Sequence, residues 1–182
     1  MESISKKQGP VRAKTNAAQD LRDLFEVGLK DIYSAEKILS KTLPRMVQNA
    51  SSPELVNTLK NNLTEAEGQV SRLEQVFKTT GIKPVTSKNN AMEGLLKESE
   101  GIMKETKMGV VRDAGIIASE QKLNHYKIAT YGTLHAYAKT LGEDQAASLL
   151  ALTLNEEKKI DAALTGIAVS AINNRAATAS FL

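Results

Sequence analysis

Apolar side chains between Phe25 and Met46 recur at alternating steps of four and three residues: Phe25, Leu29, Ile32, Leu39, Leu43 and Met46, with Glu36 filling one place in the series. A series of this kind lies along one stripe of an α-helix and predicts a helix from about Ala18 to Asn49, with a carboxylate in the middle of its seam. Pro44 removes a backbone donor and is expected to kink it. The segment Ser51-Ser52-Pro53-Glu54 then offers a capping serine followed by proline at a first helical position. A second helix is predicted over Pro53–Thr80, with Val56, Leu59, Leu63, Ala66, Val70, Leu73 and Phe77 as its stripe and Gly81 ending it. Glu65 and Gln69 stand one turn apart on the flank of that stripe.

Lys83-Pro84 through Asn90 reads as a loop, and Ala91–Lys107 as a shorter amphipathic helix with Met92, Leu95, Leu96, Ile102 and Met103 on its apolar side. A third long helix is predicted from about Val110 to Leu141. Its stripe is Ala114, Ala118, Gln121, His125, Ile128 and Gly132, which places an amide and an imidazole among apolar or small neighbours. The turn Gly142-Glu143-Asp144 leads into a fourth, from about Asp144 to Asn173, whose stripe is Ala147, Leu150, Leu154, Glu157, Asp161, Leu164, Ala168 and Ala171. Two helical hairpins joined by a long crossover that contains a short extra helix make an all-α chain with the connectivity of a ferritin-like four-helix bundle. The bundle is expected over residues 19–173, between a basic tail at 1–18, read as disordered, and a frayed end at 174–182.

Composition narrows the chemistry. The 182 residues suffice for one domain with a substantial core; 41% are hydrophobic, only 4% are aromatic, and cysteine is absent. Without cysteine there are no disulfides, thiolate zinc sites or iron–sulfur clusters, so any metal would be held by oxygen and nitrogen. No run approaches the roughly 18 apolar residues of a membrane span, and the N-terminus lacks a signal-peptide pattern, so the expected location is cytoplasmic with no membrane partner. The formal charge of +3 resides wholly in residues 1–18, where Lys6, Lys7, Arg12 and Lys14 face only Glu2. The remainder is formally neutral, and nucleic acid is not its expected partner.

Glu36, Glu65, His125 and Glu157 each fall near the middle of a long helix, so an antiparallel bundle brings them to similar depth. Acids in a seam repel one another and lose hydration unless they are protonated, paired or bound to a cation. Glu157 and Asp161, one turn apart, carry the strongest local signal. Several anionic oxygens with an imidazole suit two divalent ions, iron or manganese by hardness. The contrasting readings are a metal-free structural or interaction bundle whose polar core fixes helix register and a DNA-associating stress protein that uses the basic tail.

The segments LRDLFEVGLKDIYSAEKIL (Leu21–Leu39), SSPEL (Ser51–Leu55), EAEGQVSRLEQVF (Glu65–Phe77), AMEGLL (Ala91–Leu96), VRDAGIIASEQKLNHYKIATYGT (Val111–Thr133) and LNEEKKID (Leu154–Asp161) closely resemble the bacterial YciE/YciF family of ferritin-like stress proteins. The resemblance spans about Asp20–Ala168. It implies a dinuclear metal site, frequent homodimerisation and a role in bacterial stress, with possible oxidation of Fe(II) by oxygen or peroxide. Carried over by position, the inward-facing ligand set is Glu36, Glu65, Gln69, Gln121, His125, Glu157 and Asp161. Glu65 or Glu157 would bridge, Glu36 and His125 would be terminal, and Gln69, Gln121 and Asp161 would be weaker ligands or supports. The chain departs from the usual Glu-x-x-His signature: Gly68 follows Glu65 and Ile160 follows Glu157 at the third place, and Asn124 stands where many relatives have Glu.

Overall fold

The computed structural model describes residues 10–15 and 17–179. Among them every regular element is helical: α1 (Leu21–Asn49), α2 (Pro53–Thr80), α3 (Asn90–Glu105), α4 (Val110–Thr140), α5 (Asp144–Ile167), a π-helical turn (Ala168–Ile172) and α6 (Asn173–Thr178). The basic tail falls partly outside the described residues, and residues 10–15 and 17–19 carry no helix. The fourth long helix, expected to stop near Asn173, widens through the π-turn and continues as α6, whereas residues 180–182 lie outside the described residues.

Local chemistry sets the helix limits. The Asp20 side chain caps α1 by accepting from the Asp23 N–H at 2.9 Å, and α1 runs on through Pro44. Pro53 opens α2, and Gly81 closes it at φ 72°, a left-handed geometry that glycine adopts without strain. Asn89 caps α3 through the Met92 N–H at 2.8 Å.

α1 packs against α2 and α4, and α5 packs against both α2 and α4, so the four long helices form a closed square. The crossover returns the chain along α1 and α4. Asn89 Nδ2 donates to the Asp31 carbonyl at 3.0 Å and to Tyr126 Oη at 2.7 Å, and the Ser87 N–H donates to Ser34 Oγ at 2.8 Å. At the far end the buried Asp113 carboxylate accepts from the Ser51 N–H and Oγ, both at 2.7 Å, and from the Ser52 N–H at 2.9 Å. These bonds tie the α1–α2 turn to the start of α4 and so set the depth of α4 in the bundle. No helix among the described residues is long and apolar enough to cross a membrane.

The α1 stripe is buried throughout as its spacing predicts, Glu36 included. The α4 stripe is not the expected one. The buried series is Asp113, Ile117, Glu120, Asn124, Lys127, Tyr131, Leu134 and Ala138, with Gln121, His125, Ile128 and Gly132 turned away from full burial. The inward face is therefore one residue, about 100°, from the predicted one. Side-chain volume accounts for the choice: the buried face carries Ile117, Tyr131 and Leu134, where the alternative offers Ala118, Ile128 and Gly132. Polar groups enter with it because partners await them.

Candidate functional site

At mid-height the bundle encloses a charged layer. Glu36 comes from α1, Gln69 from α2, Lys127 and Tyr131 from α4, and Glu157 from α5, and each is at most 1% exposed. Lys127 Nζ is the hub. It lies 3.1 Å from Glu36 Oε2 and 2.8 Å from Glu157 Oε1, and it donates to Gln69 Oε1 at 2.8 Å. Gln69 Nε2 in turn donates to Glu157 Oε1 at 2.7 Å, and Tyr131 Oη donates to Glu36 Oε1 at 2.9 Å. The other Glu157 oxygen accepts from Asn124 Nδ2 at 2.7 Å. Four helices thus meet at one ammonium through charge-assisted bonds in a medium of low dielectric.

Two turns before Lys127 on α4 lies Glu120, also buried, whose Oε1 accepts from Asn62 Nδ2 on α2. Toward the surface between α2 and α5, Arg72 grips Glu156 through both oxygens, at 2.6 and 2.7 Å, and donates to Thr153 Oγ1 at 2.7 Å.

Burial dominates the electrostatics. It pushes the Glu36 carboxyl up to about 6 against the pull of Lys127, and Glu120 up to about 7 against the same pull. Burial works to lower the Lys127 ammonium, but Glu36 and Glu157 more than reverse this and hold it above the ordinary lysine value. Burial, with Glu36 beside it, raises the Tyr131 phenol well above its usual range. Glu156 is held below the usual carboxylate value because the Arg72 and Gln69 hydrogen bonds, with the Arg72 charge, outweigh its desolvation.

The seven residues expected to line a metal pair divide into three groups. Glu36, Gln69 and Glu157 meet in the charged layer. Glu65 is exposed on the flank of α2. Its buried neighbours on α2 are Asn62, Ala66 and Gln69, because the α2 stripe takes Leu55, Asn62, Gln69 and Val76 where Val56, Leu63 and Val70 were expected. Gln121, His125 and Asp161 gather on the outer side of the α4–α5 pair. His125 Nε2 is 3.1 Å from Asp161 Oδ1 with its side chain 65% exposed, and Gln121 Nε2 donates to Thr165 Oγ1 at 2.8 Å. His135, half-buried, places Nδ1 2.9 Å from the Ala147 carbonyl. The one-residue rotation of α4 carries His125 outward and brings Lys127 in.

The residues present do not fit a pair of divalent ions. The space between Glu36 and Glu157 holds an ammonium, and a metal there would meet a like charge. Among the described residues no group of three or more His, Cys, Asp or Glu side chains is placed to hold a metal ion. The sequence reading missed Lys127, Glu120 and Asn62. The available signal was their own four-and-three spacing, from Glu120 through Asn124 and Lys127 to Tyr131.

Comparison with known proteins places the chain. The family model described as "Domain of unknown function (DUF892)" matches residues 20–177. Protein YciF of Escherichia coli (strain K12) is 40% identical over 157 residues, which cover 86% of this chain and 95% of YciF. The crystal structure of that E. coli stress protein superimposes with a TM-score of 0.82 at 39% identity, covering 86% of this chain and 99% of the other. YcfI, titled a putative structural protein from Rhodopseudomonas palustris, gives 0.80 at 40% identity over 84% of this chain and 98% of its own. A Xanthomonas campestris protein, 18% identical, shares the fold with a TM-score of 0.68 over 86% of this chain and 98% of its own. With its four long helices, its crossover and this match over most of its length, the chain belongs to the DUF892 family, that of the E. coli stress protein YciF.

Proposed function

We propose that the chain is a structural protein of the bacterial stress response, a bundle whose charged core is held by Lys127 in place of a pair of metal ions. The observation that carries this reading is the position of Lys127 Nζ, within 3.1 Å of Glu36 and within 2.8 Å of both Glu157 and Gln69. One relative is described as a stress protein and another as a putative structural protein, in keeping with this reading. A buried network with partners on four helices admits one register, because a slip of any helix leaves a charge unpaired in the interior. In this role the core supplies specificity of assembly rather than redox turnover.

Elemental analysis after anaerobic loading with Fe(II) or Mn(II) and desalting is the test. Fewer than two ions per chain, with no Fe(II) oxidation beyond the buffer rate, is the expected result. Two ions per chain that disappear in Glu36→Gln would overturn it and restore the two-metal reading.

A further inference from the structure

Below the Lys127 hub, three oxygen atoms inside the bundle have no hydrogen-bond donor: Glu120 Oε2, Asn62 Oδ1 and Asn124 Oδ1. Their residues are no more than 2% exposed. The amide orientations follow from the partners. Asn62 Nδ2 donates to Glu120 Oε1, and Asn124 Nδ2 donates to the Glu157 carboxylate and main-chain carbonyl at 2.7 and 3.0 Å. Carboxylate and carbonyl oxygens only accept, so each amide must turn its nitrogen to them and its own oxygen elsewhere. A buried acceptor left without a donor is rare in folded proteins, and here there are three, on Glu120, on Asn62 bonded to it, and on Asn124 one turn along α4.

Charge identifies the class of partner these oxygens lack. Apart from Asp113, which Ser51 and Ser52 satisfy, the interior holds the carboxyls of Glu36, Glu120 and Glu157 against the single ammonium of Lys127, since Glu156 is matched by Arg72. With all three acids ionised the deficit is two positive charges. The unpartnered atoms are all oxygen, the donor set of hard cations. A surface cavity of about 220 Å³ between α2 and α5 has Asn62 in its wall, with Asn61, Glu65, Lys159 and Ile160.

We propose that Glu120 Oε2, Asn62 Oδ1 and Asn124 Oδ1 bind one hard divalent cation of the Mg²⁺, Ca²⁺ or Mn²⁺ class, admitted through the α2–α5 cavity. This site is distinct from the Lys127 hub, uses none of the seven residues that the family resemblance supplies, and leaves the ammonium in place. It goes beyond the structural reading above and does not depend on it.

The test is calorimetric titration of the chelator-treated full chain with MgCl₂, CaCl₂ and MnCl₂ separately at about pH 8, above the raised Glu120 value. Melting temperatures are recorded with and without each ion. One ion per chain is expected, with a higher melting temperature when it is bound. Glu120→Gln is expected to weaken binding by more than about tenfold and to remove the thermal gain. Glu65→Gln, at the cavity mouth, keeps the one-ion stoichiometry. Asn124→Ala, expected to weaken binding by about tenfold, decides the matter if Glu120→Gln does not fold. No binding by the folded wild-type chain, or unchanged binding in Glu120→Gln or Asn124→Ala, would overturn the proposal. Two ions lost in Glu36→Gln while Glu120→Gln retains them would sink the structural reading and this site together, whereas one ion lost only in Glu120→Gln supports both.

Discussion

Two ion pairs sit two residues apart on α4 and belong to different physical worlds. Lys127 faces inward, 1% exposed, between Glu36 and Glu157, while His125 faces outward, 65% exposed, beside Asp161 at 3.1 Å. In the sequence only the outer pair, His125 with Asp161, looks like candidate chemistry, and Lys127 reads as a surface residue. Only the inner one is expensive to disturb, because its acids have no water to fall back on and its ammonium supports partners on three other helices. The outer pair exchanges protein for solvent at little cost. Proximity in sequence is thus a poor guide to energetic weight when a single helical step turns a side chain from core to water.

The comparison is tested most severely by Lys127→Met, which leaves Glu36 and Glu157 buried without their cation. A loss of about 3–5 kcal/mol in chemical denaturation is expected. A loss no larger than that of the outer pair would break the contrast. Next in size is the pH dependence. The folded Glu120 carboxyl titrates near 7 and Glu36 near 6, against an ordinary value of 4.5, so from about pH 4.5 upward the folded chain holds protons that the unfolded chain has released. Stability of the cation-free protein is therefore full below that range and falls as pH rises through 6 to 7, by on the order of 3 kcal/mol for Glu120. Melting curves from pH 5 to 8 should show the decline, and Glu120→Gln should flatten it; a wild-type protein that gains stability over this range would refute the assignment.

Asp113→Ala removes the acceptor of three bonds from Ser51 and Ser52 and is expected to cost about 2–3 kcal/mol, measured by urea unfolding. It sharpens the contrast, because Asp113 is a buried acid satisfied by neutral donors, with no cation needed. Smallest is His125→Ala, with an expected change below about 1 kcal/mol and metal content unaltered. A large loss of either would return His125 to the core.

Much of the fold is legible in the chain. The limits of α2 follow from Pro53 and Gly81, and the α1 stripe follows from its four-and-three spacing, with Glu36 correctly placed inside. The candidate site is legible only in part. Glu36 and Glu157 come together as their depth along the helices implies, joined by Gln69 from the set the resemblance supplies, but Glu65, Gln121, His125 and Asp161 do not join them. The failure has one cause. Hydropathy ranks Val70 above Gln69 and treats Lys127 as a surface residue, whereas the interior takes Gln69 and Lys127 because each completes a bond to a distant acid.

The sequence by itself determined the limits of α2 and the approximate course of the other long helices, that they form two hairpins with a crossover, and that their middles carry polar groups, because caps, turn glycines and helical periodicity are local properties. The tertiary structure alone decided the rotation of α4 and hence which polar groups are buried. The free energy of burying Lys127 depends on Glu36 from α1 and Glu157 from α5 standing within 3.1 Å, and no local pattern contains that distance.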